Sequence, residues 1–455
     1  MKREEEKQLS AAPNPYAELP AFIERSGLEV NGLVLLQKGQ PVLEWYRKPY
    51  RRGMPQLLYS LSKSFTSIAV GIACDQGMLK LDDAVISFFP DQRPNEITPH
   101  LPAMRIRHLL SMTAGHEEDI YPIVRSRQDW ASAFLEQPVE KEPGTHYRYS
   151  TMSTYMLSAI VERVSGLNLV DFLMPTLFEP LDIVRPVWET CPLGVTAGGM
   201  GLSLPTEDVA KFGQMLLNGG MYNGKRIVSA EYVTLASAEQ SDNRLGVSPQ
   251  RIDSRQGYGF QFHLCRFGAY RGDGSFGQLC LVSPKHDLVV AANCAFPSMT
   301  KLQTLLDRIF ELSGEITELP FHMDQTYALD DNPANLHAVT FRPLPDGFDL
   351  TMEYGGTGAR SETLPFAYDR SVETEGVFVK DLMLHRQRVV TSVERISEDT
   401  AALRLTLRYI ETPYAVTYTV QAVEEHIRLS FAVNVSFGFN SYEASGKISG
   451  IPLVR

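Results

Sequence analysis

The sequence predicts two dissimilar units: an α/β body in which helices pack over a single sheet and, beyond Leu319, an all-β barrel or sandwich. Three features carry that prediction. Apolar runs of strand character stand at both ends of the first unit with helical patterns between them, so one sheet is built from both termini of that region. The stretch from Ser64 to Cys74 holds no charged residue, which makes its helix apolar on nearly every side and buries it. After Leu319 the pattern changes to strict alternation, as in Leu403-Arg-Leu-Thr-Leu-Arg-Tyr409, the mark of half-buried antiparallel strands. The predicted boundaries are a polar lead-in over 1–20, the α/β body over 21–318 and the β domain over 319–455.

Taken in order, Gly32–Gly39 and Pro41–Tyr46 read as two strands of a hairpin around Lys-Gly-Gln. The apolar helix follows and stops near Gly77. Leu79–Pro90 is a turn with a short helix, and Arg105–Gly115 is a short helix ended by its glycine. A Pro143-Gly144 turn leads into a helix over Tyr155–Val164 closed by Gly166. Further helices fit Val170–Phe178, Glu207–Asn218 and Ala230–Ala238, while Thr196–Leu202 needs glycine flexibility. Strands are expected over Tyr258–Cys265, Gly268–Arg271, Gln278–Ser283 and Leu288–Cys294, then a helix over Lys301–Ser313. In the β domain the clearest strands are Leu403–Tyr409, Ala415–Val420 and Ile427–Phe437.

A net charge of −11 without a basic run argues against nucleic acid and anionic membrane as partners. Five cysteines lacking CxxC or zinc spacing fit a reducing compartment, and His108, His116 and His263 show no metal-ligand spacing. The charged N-terminus precedes no apolar core of a signal peptide, and no apolar run approaches the ~18 residues of a membrane span. The expectation is a cytoplasmic protein without metal or cofactor.

The chemistry concentrates in Tyr59-Ser-Leu-Ser-Lys-Ser-Phe-Thr-Ser67, which sets the Ser60 hydroxyl and the Lys63 amine one helical turn apart. Burial disfavours an ammonium, lowers its pKa and makes the amine a base for the neighbouring hydroxyl. The free backbone N–H groups of a helix start can stabilise an oxyanion. A second Ser-x-x-Lys, Ser298–Lys301, opens an ordinary amphipathic helix whose lysine is solvated.

That stretch, together with Ile106–Gly115, Pro143-Gly-Thr-His-Tyr-Arg-Tyr-Ser-Thr151 and Gly198-Gly-Met-Gly-Leu-Ser-Leu204, resembles in order and spacing the serine β-lactamase-like family. Class C β-lactamases, DD-peptidases, family VIII carboxylesterases and 6-aminohexanoate-dimer hydrolases belong to it. The resemblance spans roughly residues 25 to 315. It implies an α/β fold with an antiparallel sheet, flanking helices and an all-helical subdomain, with the active site between them. It also implies that Ser60 is the acylated nucleophile, Lys63 its proton partner and Tyr149 the second member of the acid/base pair. Thr151 stands where Tyr-x-Asn members have asparagine, and Gly272-Asp273-Gly274-Ser275 is the best match to the third motif, without the usual cation. On that register the backbone N–H groups of Ser60 and Ser275 form the oxyanion hole, and Thr151, Asp273 and Gly274 are substrate-binding candidates. Ser275 lacks the Gly-x-Ser-x-Gly context of an α/β-hydrolase elbow.

The resulting expectation is a serine hydrolase acting on a small ester, amide or peptide through a Ser60 acyl-enzyme. Two other readings stay open at this stage: a β-lactamase or D-amino-acid peptidase, and an idle penicillin-binding-like sensor with the β domain as its contact surface. The sequence does not name the natural substrate or the oligomeric state.

Overall fold

A computed structural model describes residues 14–448 apart from 246, 249, 315–323, 345–346, 357–358, 369, 381–382, 398–401, 424–425 and 437. The chain divides into two compact units, Met1–Ser313 and Gly314–Arg455. No described helix is long and apolar enough to cross a membrane.

The first unit is organised on an antiparallel sheet of β1 (Val30–Gln37), β2 (Gln40–Tyr46), β3 (His263–Leu264), β4 (Tyr270–Gly274), β5 (Gln278–Ser283) and β6 (Leu288–Cys294), in the order β2-β1-β6-β5-β4-β3. Strands from the two ends of the unit meet where Leu33 faces Ala292 and Leu35 faces Val290. Residues of β5 and β6 are buried throughout, which explains their near-continuous apolar runs: both faces of the sheet are covered. Val34, Cys280, Val282 and Ala291 join the core shared with the helices on one face, and Leu33, Leu35, Leu281 and Val290 are buried by the alternation of the pleat on the other.

The central helix α1 (Ser62–Asp75) is buried from Ser62 to Ala73. Phe65 stacks on Phe212 with centroids 3.8 Å apart, and α1 packs along α2 (Thr151–Ser165). Ser150 caps α2 by accepting from the Ser153 N–H at 3.2 Å, and Gly166 ends it in the left-handed conformation. Helix α3 (Thr206–Leu217) lies close against the sheet because Gly213 has no side chain: a Cβ there would stand 2.5 Å from Val289 Cγ1. Shorter helices over Ile106–Leu110, Tyr121–Arg125, Trp130–Leu135, Leu169–Leu173 and Ala230–Ala236, and a longer one over Thr300–Leu312, also belong to the helical part.

The second unit is one ten-stranded antiparallel sheet, from Thr326–Leu329 to Ser441–Ile448, whose first strand pairs with its last. Its two edge strands, Arg360–Ala367 and Val372–Lys380, approach each other where the Val377 N–H donates to the Glu362 carboxylate, so the barrel nearly closes. Leu403, Leu405 and Leu407 point inward while Arg404 and Arg408 face solvent, as the alternation requires.

The observed elements depart from the sequence reading in four places. Residues 1–13 of the lead-in lie outside the described residues, but Pro15–Arg25 is helical and buries Tyr16 and Leu19, with the Tyr16 hydroxyl on Ser313 at 3.1 Å. The helix expected to run to Gly115 stops at Leu110, because Met112 takes a left-handed conformation, φ 60°. Helix α2 begins at Thr151, four residues before the apolar run suggested, because its cap is Ser150. Of Tyr258–Cys265 only His263–Leu264 is strand. Gln261 is left-handed, φ 67°, and its side chain holds the Leu109 and Leu110 carbonyls and accepts from Thr154, so local alternation yields to a buried amide hub.

Close packing of β4 on the turn before α1 fixes the centre of the unit. A Cβ on Gly274 would stand 2.1 Å from the Leu58 carbonyl oxygen, and one on Gly272 would stand 2.3 Å from Ser64 Oγ. Gly274→Ala is therefore expected to destabilise the protein by about 1–3 kcal/mol, the usual cost of overpacking, since the obstructing atom is backbone. An unchanged thermal midpoint for this variant contradicts that packing.

Candidate active site

A turn over Tyr59–Leu61 runs into α1, and Tyr59 adopts φ 49° there, a left-handed conformation uncommon for a tyrosine. Ser60 follows it, half-buried and open to an incoming molecule. Lys63, one turn on, is 2% exposed, and its Nζ lies 3.1 Å from Ser60 Oγ, 3.2 Å from Thr151 Oγ1 and 2.6 Å from the Gly199 carbonyl oxygen. Burial lowers its pKa to about 7, and the Asp273 carboxylate opposes that fall. Near neutral pH a large fraction of this amine is free to accept a proton.

Tyr149 immediately precedes the cap of α2, and its loop is pinned by Arg148 N–H to the Met112 carbonyl at 2.8 Å and by Ser150 N–H to Met112 Sδ at 3.3 Å. The ring centroid lies 5.0 Å from Lys63 Nζ. Burial raises the phenol above its ordinary value, and its interaction with Ser60 partly counters the rise. Tyr149 therefore holds its proton through the neutral range.

The Thr151 hydroxyl, at the first turn of α2, accepts from Lys63. The glycine stretch reaches the same place through its backbone. Gly199 gives its carbonyl to Lys63 and Gly198 gives its carbonyl to Thr66. A Cβ on Gly199 would stand 2.7 Å from the Thr151 carbonyl oxygen.

The third-motif residues occupy the end of β4. Gly272 has no room for any side chain, which accounts for the absence of a cation at that position. Gly274 packs on the Leu58–Leu61 turn, and Ser275 follows it at the start of a short turn. Asp273 is occupied within the protein: its carboxylate is 2.8 Å from Arg271 Nη2 and 3.7 Å from His263 Nε2. Arg271 is 1% exposed and spends its remaining donors on the Asp253 carbonyl at 2.5 Å and Ser254 Oγ at 2.9 Å. It lies on the same face of β4 as Asp273, opposite Gly272.

Several groups at the site carried no recognisable signal. His263 faces Asp273 and Tyr258, and burial lowers its pKa to about 4, so it is neutral. Tyr147 and Tyr149 both stand edge-on to Tyr258. Arg251 lies close enough to Asp273 to feel its charge. A pocket of about 300 Å³ adjoins Tyr59 and Phe276, whose rings meet edge to face at 5.1 Å. By contrast Ser298 is exposed and bonds to Thr300, with Lys301 in solvent. Among the described residues no three His, Cys, Asp or Glu side chains gather as a metal site.

Comparison with known proteins bears on this arrangement. The family model described as Beta-lactamase matches residues 22–307. A 6-aminohexanoate-dimer hydrolase of Paenarthrobacter ureafaciens is 26% identical over 306 residues, 61% of this chain and 76% of the relative. Among solved structures, a family VIII carboxylesterase superposes with a TM-score of 0.54 at 17% identity, covering 67% of this chain and 98% of that one. The octameric penicillin-binding protein homologue of Pyrococcus abyssi, with a TM-score of 0.52 at 17% identity, covers 95% of this chain and 99% of that one. At such identities the two structures speak for the fold alone.

Proposed function

Since the chain belongs to the beta-lactamase family and is a serine hydrolase, we propose that it cleaves a small ester or amide through an acyl-enzyme on Ser60. The observation that carries the reading is the 3.1 Å contact between the Ser60 hydroxyl and a buried amine whose pKa falls to about 7. Lys63 takes the hydroxyl proton as Ser60 Oγ attacks the carbonyl carbon. The backbone N–H groups of Ser60 and Ser275 hold the oxygen of the tetrahedral intermediate. Tyr149, still protonated, delivers a proton to the departing alcohol or amine and is recharged by Lys63. Water then attacks the acyl-enzyme and gives its proton to the same pair, releasing the acid and restoring Ser60. The name of the hydrolase from Paenarthrobacter, which acts on an amide dimer, and that of the carboxylesterase both support this substrate class.

The competing β-lactamase or D-amino-acid peptidase reading is disfavoured by Gly272. A charged hydrogen bond to a substrate carboxylate contributes about 1.5–3 kcal/mol, roughly ten- to a hundredfold in binding, and no side chain fits at Gly272 to make one. The kcat/KM for 4-nitrophenyl butyrate is expected to exceed that for nitrocefin by at least that factor. Nitrocefin as the better substrate overturns the assignment, and inertness toward both together with absence of labelling by a fluorophosphonate favours an idle binding protein.

A further inference from the structure

Two aromatic residues beside the nucleophile hold backbone conformations that neither residue type favours. Tyr59, just before Ser60, has φ 49°, and Phe276, just after Ser275, has φ 66°. Left-handed geometry is uncommon for bulky side chains and persists only where the surroundings enforce it. Here they do. The Phe276 carbonyl accepts from the Phe296 N–H at 2.9 Å, and the buried Gln278 amide donates to the Ser275 and Cys294 carbonyls at 3.3 and 2.8 Å. A Cβ on Gly277 would stand 2.4 Å from the Phe296 ring, so the turn has no slack. What this framework presents is the pair of rings, edge to face at 5.1 Å, with Phe276 49% exposed.

The rings border the pocket of about 300 Å³, and Asn31, Gln56, Leu57 and Gln278 continue its lining. Gln278 is engaged at both ends of its amide, since its oxygen accepts from Asn293 at 2.9 Å. Asn31 and Gln56 are not. Asn31 Nδ2 donates to Gln56 Oε1 at 3.0 Å, and neither Asn31 Oδ1 nor Gln56 Nε2 bonds to any described residue. Two carboxamides joined by one such bond keep a carbonyl and an amino group free for a ligand. An apolar chain filling the pocket leaves both without a partner, which is unfavourable. A phenolic oxygen meets them together, because the same atom donates one hydrogen bond and accepts another, and its ring packs against Tyr59 and Phe276.

We propose that this pocket is the acyl subsite of the enzyme and takes an aryl group bearing a phenolic hydroxyl, so that the preferred substrates are esters or amides of hydroxyaryl carboxylic acids. The inference rests on the acyl-enzyme reading above and deepens it. Neither Lys63 nor Tyr149 lines the pocket, and in that reading they serve the departing group, so the pocket is left for the part of the substrate that stays on Ser60. Consecutive Cα atoms lie about 3.8 Å apart, so a spacer of two carbons carries a ring from the Ser60 ester past Tyr59.

The test compares 4-nitrophenyl 3-(4-hydroxyphenyl)propanoate with 4-nitrophenyl 3-phenylpropanoate in the full-length protein, following release of nitrophenol. The two esters share leaving group, spacer and reacting carbonyl. The wild-type kcat/KM ratio is expected to favour the hydroxyl by roughly ten- to a hundredfold, the effect of two hydrogen bonds to groups otherwise left unpaired. In Gln56→Met, which removes the donor, that ratio falls by about threefold or more. In Phe276→Ala both aryl esters lose roughly three- to tenfold against 4-nitrophenyl butyrate; labelling of Ser60 by a fluorophosphonate checks that each variant is folded. Equal wild-type rates for the two aryl esters, a ratio unchanged in Gln56→Met, or a faster reaction of 4-nitrophenyl 4-acetamidobutanoate than of the hydroxyaryl ester overturns the subsite while leaving the hydrolase reading intact. Failure to cleave any of these esters, 4-nitrophenyl butyrate included, strikes the hydrolase reading itself and the inference with it.

Discussion

Ser60→Ala is expected to abolish covalent labelling by a fluorophosphonate and to lower ester hydrolysis by about a thousandfold or more, the scale seen when an acyl-enzyme nucleophile is removed. The side chain removed is the one whose hydroxyl lies against Lys63, and no second serine has comparable surroundings among the described residues. Ser298 is the internal control. Its hydroxyl faces Thr300 in solvent and its lysine is exposed, so Ser298→Ala should label and turn over like the wild type. Peptide mapping of the labelled protein decides the matter: a tag on Ser298, or one that persists in Ser60→Ala, removes Ser60 from the mechanism.

Lys63 should govern the pH dependence. Its pKa is lowered to about 7 by burial, and the neutral form is the base, so kcat/KM should rise with pH through about 7 and level off above it. Lys63→Ala should cost roughly 10²–10⁴-fold, the range of general-base catalysis. A merely structural lysine predicts no titration at that pH, and a second substitution exploits the difference. The Asp273 carboxylate raises the Lys63 pKa, so Asp273→Asn should move the rising limb to lower pH. A limb that stays in place, or moves upward, means that Lys63 is not the titrating base.

How far the site could be read from the sequence follows from how local its parts are. Ser60 and Lys63 share one helical turn, so their proximity is a property of spacing, and the uncharged run after them foretold the burial that tunes the amine. Alternation in the β domain was legible for the same reason: Leu403, Leu405 and Leu407 record one face of one strand. The anchoring of Asp253 by Arg266 and Gln303 left no trace, because it joins separate segments of the chain. The hydrogen bond that the Thr151 hydroxyl, at the start of α2, accepts from Lys63 was not legible, because it joins two helices far apart in the chain. The strand expected over Tyr258–Cys265 failed because Gln261 is worth more as a buried link to Leu109, Leu110 and Thr154 than as a member of a ladder.

The sheet of the first unit has a consequence for synthesis on the ribosome. β1 emerges early, but the strand that covers its inner edge is β6, with Leu33 waiting for Ala292. At about 5–20 residues per second the interval is on the order of ten to fifty seconds. During it the hairpin of β1 and β2 carries an open, strongly apolar edge, the kind that recruits foreign strands. Pairing over so long a sequence separation also slows folding after release. Overproduction of this chain should therefore be limited by capture of its nascent N-terminal hairpin, and slower translation or added chaperone should raise the yield of native protein more than stabilising the finished fold does.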